Sequence, residues 1–389
     1  MARHLPFACR PYQGGSAHSI DGVLSLESYL LVAFAAYVDS NATSIFSPFT
    51  TPGREIEGLS VFVLAITAAI FIALAALLVH VLIRYRSRPD DNSEPPQVFG
   101  SLQIELSWTI IPILIIVVLF LSTARVLFSV QDAPKPQSAL DVVVIGHQFW
   151  WEFRYPQYGV VTANELHVPL SSFAAPRPTF MKLTSADVMH SFWVPELNGK
   201  TDLLPNRVNE MWIDPMKAGV YIGQCAQFCG PQHAKMLLRV YVDAPGQFQQ
   251  WIARQQRNQP ELQEQGKDQP QTFGGDLTAS DSSSNPSVMN ANFNGGANDA
   301  RYGQFVFEHQ ACISCHTVAG TVANGRYGPD LTHLMSRDTL GSGAATNNAQ
   351  NLKAWVTDPN TFKPGNLMPA MHLSDRDNAA ITAYLLTLK

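Results

Sequence analysis

Two stretches of this chain carry no polar face. Gly58 to Ile83 is an almost unbroken series of Leu, Ile, Val, Ala and Phe, and Leu106 to Phe128 is a second. Each is long enough to cross a bilayer core of about 30 Å as an α-helix. A buried helix in a soluble protein rarely runs so long and so uniformly apolar. Arg84, Arg86 and Arg88 follow the first run, which predicts a cytoplasmic connecting loop and both chain ends outside. Pro112, inside the second run, is tolerated where neighbours satisfy the freed carbonyl.

Beyond these runs the pattern shortens. Asp141–Ile145, Thr179–Leu183, Asn209–Ile213 and Leu237–Val242 are brief β-rich runs punctuated by Pro, Gly and Asn, which predicts an all-β Greek-key sandwich or barrel over residues 139–244. A short amphipathic helix follows at 245–258. From Gln259 to Asp299 the chain is rich in Gln, Asn, Ser, Gly and Asp. Such a segment buries too little apolar surface to fold and is expected to be a flexible linker. The last ~90 residues are of domain size, with an opening helix ending near Gly303–Glu308 and a closing helix at Ser374–Leu388. The chain thus divides into an arm (1–55), two membrane helices (56–130), a β domain (139–244), helix and linker (245–298) and a helical domain (299–389).

Composition adds limits. A length of 389 residues suits two or three domains, and a net charge of −5 argues against a nucleic-acid partner. Tyr29 to Val38 has the size of a signal-peptide core, but Asp21 and Glu27 stand where basic residues would be expected, so a cleaved export signal and a loose arm both remain open. Four of the five cysteines form two tight pairs, 225/229 and 312/315, a spacing that reads as metal and haem chemistry rather than a disulfide framework. Cys9 is expected to be a free thiol in the N-terminal arm.

The first pair lies in Cys225-Ala-Gln-Phe-Cys-Gly-Pro-Gln-His233-Ala-Lys-Met236, with His190 upstream. Two thiolates, two imidazoles and a thioether are soft donors suited to copper; a zinc site or a disulfide are the alternatives. The second pair, Cys312-Ile-Ser-Cys-His316, is a c-type haem attachment signature, with His316 as one axial ligand. Leu367-Met-Pro-Ala-Met371 offers the other, with Met368, Met371 and His372 as the candidates. A His/Met pair raises the haem potential. Glu105, at the start of the second apolar helix, can simply complement the helix dipole. His80 is expected to be a packing or interfacial residue, His309 and His333 surface residues, and Asp187 and Asp202 turn residues. Trp355 is either core or a partner to a haem propionate. The aromatic-dense segment Gly146–Tyr155 is expected mainly to pack.

Residues 55–389 resemble subunit II of a caa(3)-type cytochrome c oxidase, in which a cytochrome c is fused behind a cupredoxin-like domain holding binuclear copper, Cu(A). The resemblance implies His190, Cys225, Cys229, His233 and Met236 as side-chain ligands and the Gln227 carbonyl as a further one. The family usually has Glu at that position, where its carboxylate also helps hold magnesium. It further implies haem c on Cys312, Cys315, His316 and Met368 in an all-α class I cytochrome c domain, with the Pro329 carbonyl fixing the axial imidazole, and a proton pathway opening at Glu105. Phe149 stands where the family has the Trp that receives electrons from soluble cytochrome c, which points to Trp150 and Trp151 as substitutes. The implied path runs from soluble cytochrome c or another donor to haem c, to Cu(A), then to haem a in subunit I, where dioxygen is reduced with proton pumping. Subunits I and III and membrane lipid are the implied partners, and the bacterial cytoplasmic membrane the location, with both redox domains on its outer face. The alternatives are an electron-input subunit of a Cu(A)-type nitric oxide reductase and a membrane-anchored copper-delivery protein. A tether of about 40 residues spans on the order of 35 Å and raises local concentration toward millimolar, so the sequence predicts a docking face that need not bind tightly.

Overall fold

A computed structural model of the chain describes residues 43–86, 94, 97, 100–257 and 300–389. The Tyr29–Val38 run, Cys9, Arg88 and the 259–299 segment lie outside the described residues.

The two apolar runs are helices α1 (Thr51–Arg84) and α2 (Leu102–Gln131), both long and apolar enough to cross a membrane. Helix α1 begins seven residues before its apolar run and ends one residue after it, and α2 exceeds its run by four residues at the start and three at the end. At the start of α1 the Thr50 hydroxyl accepts from the Gly53 N–H. The Asp214 carboxylate accepts from the Thr51 N–H at 2.7 Å, placing negative charge at a helix N-terminus. Trp212 Nε1 donates to the Val130 carbonyl at the end of α2 at 2.7 Å. Both helices are thus fastened to one end of the β domain. Pro112 lies inside α2.

Ten strands follow: β1 (Leu140–His147), β2 (Trp150–Tyr155), β3 (Val160–Ala163), β4 (Glu165–Pro169), β5 (Thr179–Ser185), β6 (His190–Trp193), β7 (Thr201–Leu203), β8 (Asn209–Ile213), β9 (Gly219–Cys225) and β10 (Leu237–Asp243). They make two five-stranded sheets, ordered β3-β2-β1-β5-β8 and β4-β10-β9-β6-β7. Along β1 every second residue is buried, the period of a strand with one face on the core. Trp151, Phe153, Leu166, Leu183, Phe192 and Leu238 fill the space between the sheets. Helix α3 (Gln247–Gln256) closes one edge, burying Phe248, Trp251 and Ile252.

The C-terminal domain is built on α4 (Ala300–His309), the short α5 (Cys312–Cys315), α6 (Ala349–Thr357) and α7 (Asp375–Leu385), with a two-stranded ribbon, β11 (Thr339–Leu340) and β12 (Ala345–Thr346). Helices α4 and α7 cross at Gly303, where a Cβ would stand 1.9 Å from the Ala380 carbonyl oxygen. Only a residue without a side chain permits that approach. The Ser374 side chain caps α7 by accepting from the Asp377 N–H.

His333 corrects the sequence reading. It is buried rather than on the surface. One ring nitrogen faces the Lys389 carbonyl at 2.9 Å and the other the Gln255 carbonyl of α3 at 2.7 Å, so its burial comes from the seam between the two domains. His309 is exposed and stacks on Phe305.

That seam is extensive. The buried Glu165 carboxylate on β4 accepts from the Asp338 and Thr339 N–H groups and the Thr339 hydroxyl. Ser342 Oγ donates to the Leu237 carbonyl at 2.5 Å, and Arg239 Nη1 to Thr339 Oγ1 at 3.1 Å. The loose docking expected from the tether is therefore replaced by a polar, hydrogen-bonded interface.

Gly303→Ala should destabilise the C-terminal domain by about 2 kcal/mol or more, since overpacking against backbone cannot be relieved by a rotamer change. Urea unfolding followed at that domain would report a lower midpoint; an unchanged midpoint would rule out the crossing.

Candidate functional site

The β9–β10 loop and the start of β6 bring soft donors together. Cys225 ends β9, and its N–H donates to the Met236 carbonyl at 3.0 Å, which closes the loop into a rigid hairpin. Cys225 Sγ and Cys229 Sγ lie 3.9 Å apart and both residues are buried. That is too long for a disulfide, so the disulfide alternative falls. His190 Nδ1 is 3.9 Å from Cys225 Sγ. His233 Nδ1 is 3.8 Å and Met236 Sδ 3.8 Å from Cys229 Sγ. The Gln227 carbonyl oxygen accepts from Cys225 Sγ at 3.1 Å. Two sulfurs thus lie at the centre, with an imidazole beside each, and the thioether and carbonyl complete a six-residue cluster. This donor set suits copper, and the thioether sets it apart from the usual zinc sites.

The surroundings hold the donors in place. His190 is wholly buried, and its Nε2 lies 2.8 Å from Asp187 Oδ1. Donation from Nε2–H to the carboxylate leaves the Nδ1 lone pair free for a metal. Burial works against the charged imidazole, but the Asp187 and Cys225 contacts outweigh it and raise the His190 pKa. Burial likewise opposes ionised Asp187, and its hydrogen bonds to His190, Gln148 and Val188 reverse the balance and lower its pKa. Asp187, read from sequence as a turn residue, therefore also orients a candidate ligand. Gly146 makes room for this ring: a Cβ there would stand 2.8 Å from His190 Cδ2. Between the sulfurs, the Cys229 contact is the largest influence on Cys225 and lowers its pKa. Trp151 Nε1 reaches the Met236 carbonyl at 3.5 Å. Asp202 is exposed on β7.

In the C-terminal domain Cys312 and Cys315 are free thiols at the two ends of α5. His316 Nδ1 lies 2.8 Å from the Pro329 carbonyl, which leaves Nε2 available. Burial lowers the His316 pKa despite that hydrogen bond, favouring the neutral imidazole that iron requires. Gly328 lets the chain pass close to this ring, where a Cβ would be 2.5 Å from Cε1. Arg337 is a feature the sequence did not reveal. It is buried, donates from Nη2 to the Asp330 carbonyl, and has no partner for Nε among the described residues; an anionic group would satisfy such a donor. Only its final position, folded back on the Pro329–Asp330 segment, distinguishes it from other arginines. Met368 is half-buried, with its N–H on Asn366 Oδ1 at 2.8 Å. Met371 is half-buried and His372 exposed. Trp355 packs over Gly341 and lies 5.8 Å from Phe362.

The remaining predicted positions lie apart from the sulfur cluster or beside it. Glu105 is exposed in the first turn of α2. Trp150 is 8% exposed and stacks on His147 at 4.1 Å. Phe149 is 6% exposed, and its ring lies against Gly230, directly after Cys229.

Two apolar helices, a sandwich with a buried sulfur-and-imidazole cluster and a small helical domain with a haem-attachment turn define a membrane-anchored electron-transfer protein. Comparison with known proteins agrees. Residues 40–126 match the family described as "Cytochrome C oxidase subunit II, transmembrane domain", residues 173–242 "Cytochrome C oxidase subunit II, periplasmic domain", and residues 300–389 "Cytochrome c". The chain is 33% identical over 336 residues to "Cytochrome c oxidase subunit 2" of Alkalihalophilus pseudofirmus, covering 85% of each. It is 31% identical over 329 residues to the Bacillus subtilis protein of the same name, covering 80% of this chain and 82% of that one. The crystal structure of the periplasmic domain of subunit II of cytochrome oxidase of Bradyrhizobium japonicum aligns at 28% identity over 31% of this chain and 95% of that one, with a TM-score of 0.29. The chain belongs to the cytochrome c oxidase subunit II family. It is subunit II of a haem-copper oxidase with a fused cytochrome c domain, and its cofactors are Cu(A) and haem c.

Asp187→Ala frees the His190 ring and should weaken copper retention about 10- to 100-fold, measured by competition with a chelator. Equal retention would show that the carboxylate does not orient the ligand. Cys225→Ser replaces one sulfur of the cluster by a harder, less acidic hydroxyl and should abolish the mixed-valence electron paramagnetic resonance signal. Its survival would overturn the assignment of that sulfur.

Proposed function

We propose that this chain is the electron-input subunit of a dioxygen-reducing, proton-pumping oxidase: a soluble donor reduces haem c, haem c reduces Cu(A), and Cu(A) reduces haem a in subunit I. In this reading His190, Cys225, Cys229, His233, Met236 and the Gln227 carbonyl hold the copper pair. Cys312 and Cys315 anchor haem c, His316 and Met368 ligate it, and the Pro329 carbonyl orients His316. When bound, each group carries one electron at a time.

One observation carries the reading. The segment Phe362–Gly365, just before Met368, lies on the segment Pro231–Lys235, which contains His233 and leads to Met236. Lys235 Nζ donates to the Phe362 carbonyl at 2.8 Å, Gln232 Nε2 donates to the Pro364 carbonyl, and a Cβ at Gly365 would touch Pro231 at 3.5 Å. Residues flanking a proposed haem ligand thus touch residues flanking the proposed copper ligands, and a short separation is what electron tunnelling needs. The rigid sandwich keeps the copper donors fixed through a change of charge, which lowers the reorganisation accompanying transfer.

The fused domain also accounts for Phe149. This position is buried, so electrons reach Trp150 and the copper loop through haem c rather than from a free donor. Glu105, exposed at the start of α2, is assigned to the subunit I face as the opening of a proton pathway. The domain divisions at 56–130, 139–244 and 299–389, with both redox domains outside the bacterial cytoplasmic membrane, belong to the same proposal, as do subunit III and lipid as neighbours.

Deleting residues 300–389 should leave the Cu(A) spectrum intact and cut oxidation of the natural donor far more than Phe149→Trp changes it. Met368→Ala should act like the deletion, because losing the thioether lowers the haem potential. Equal rates for truncated and full-length enzymes would mean that electrons enter at Cu(A). Glu105→Gln should slow steady-state turnover while haem c and Cu(A) still reduce normally; unchanged turnover across pH would leave Glu105 a helix-end charge.

A further inference from the structure

Lys363 is 2% exposed, an unusual state for a lysine. Its Nζ donates to two backbone carbonyls, Phe149 at 3.0 Å and Gly341 at 3.0 Å. One carbonyl belongs to the β sandwich and the other to the cytochrome domain. Burying an amine costs free energy unless its donors are satisfied, and only the docked arrangement supplies the Phe149 carbonyl.

Both carbonyls sit at informative places. Phe149 follows Gln148, whose Nε2 donates to the Cys229 carbonyl at 2.6 Å and whose N–H donates to Asp187 Oδ2 at 2.6 Å. The residue that receives Lys363 is therefore held on the copper loop and on the carboxylate that orients His190. Gly341 adopts φ +58° with the Trp355 ring against it, where a Cβ would stand 2.3 Å from the indole. Its carbonyl direction is thus fixed by the packing of the cytochrome domain. Burial pushes the Lys363 pKa down to about 7, as for an amine cut off from water.

We propose that Lys363 is a positioning residue that holds the cytochrome domain on the Cu(A) domain in one docked geometry, so that transfer from haem c to Cu(A) needs no docking step. The proposal deepens the haem c to Cu(A) reading above and rests on it. A tether alone gives a local concentration near millimolar, at which an interface of even about micromolar intrinsic affinity is docked nearly all the time. Lys363 binds the Phe149 carbonyl next to the copper loop, and Glu165 makes a second contact through three donors from Asp338 and Thr339. A pre-organised interface avoids the ordering cost that a free donor meets at every encounter. In the step itself one electron leaves haem c, which is oxidised, and enters Cu(A), which is reduced. Lys363 moves no proton and carries no electron.

The test uses the assembled oxidase, with haem c reduced by a photoreductant and Cu(A) reduction followed in time. Wild type should transfer at a rate independent of solvent viscosity, with slow hydrogen exchange at the Thr339 amide. Lys363→Met keeps the chain length and removes the donors. It should slow transfer tenfold or more, make the rate depend on viscosity and speed that exchange, with the haem c potential and the Cu(A) resonance signal unchanged. Transfer at the wild-type rate with unchanged exchange would overturn the proposal. Should Lys363→Met not assemble, Glu165→Gln, which weakens the second contact of the seam at Asp338 and Thr339, is expected to give a smaller loss with the same viscosity dependence, and wild-type behaviour there would overturn it equally. Because haem c is photoreduced, this outcome is independent of where a natural donor delivers electrons. Failure of the wider reading appears instead as full donor oxidation after deletion of residues 300–389.

Discussion

Two buried sulfurs 3.9 Å apart, at Cys225 and Cys229, set the terms for the rest of the molecule. Unbonded to each other, they call for a soft metal, and nearly every nearby feature answers that need. The β9–β10 hairpin fixes both thiols, Gly146 clears space for the His190 ring, and Asp187 turns that ring so that Nδ1 faces Cys225. The sandwich core beneath is tightly filled, which keeps these donors from following a change in metal charge.

The same loop serves a second purpose. Between His233 and Met236, Lys235 is exposed and holds the cytochrome domain by the Phe362 carbonyl, while the His233 ring and the Met236 thioether on either side face the Cys229 sulfur. Alternation along a short segment thus divides one stretch of chain between metal binding and docking. The cytochrome domain repeats this economy on its own side, where Phe362–Gly365 docks and Met368 follows within a few residues. At the opposite end, Asp214 and Trp212 tie the sandwich to α1 and α2. The copper cluster is therefore fixed with respect to the membrane helices as well as to the cytochrome domain.

Much of this was legible in the sequence because its signals are local. The apolar runs, the strand at Asn209–Ile213, the amphipathic helix that buries Trp251, and the spacings of the cysteine pairs each depend on a few neighbouring residues. The seam between domains was not legible. Glu165, Lys363 and His333 look like ordinary surface residues until a segment on the far side of the linker covers them. For that reason the sequence alone points His333 to the surface and the docking face to weak contact, whereas the folded chain buries both His333 and Glu165. Arg337 and the orienting role of Asp187 escaped for a similar cause, since each is defined by what the folded chain places beside it.

In the proposed path electrons pass from the fused cytochrome to the copper pair inside one docked unit. Rapid mixing of the oxidised oxidase with a reduced soluble donor, watching haem c and Cu(A) separately, tests it most directly. The account predicts that haem c is reduced first, at a rate that rises with donor concentration, and that Cu(A) follows at a rate that does not. Reduction of Cu(A) ahead of haem c, or at a rate that itself rises with donor concentration, would contradict it.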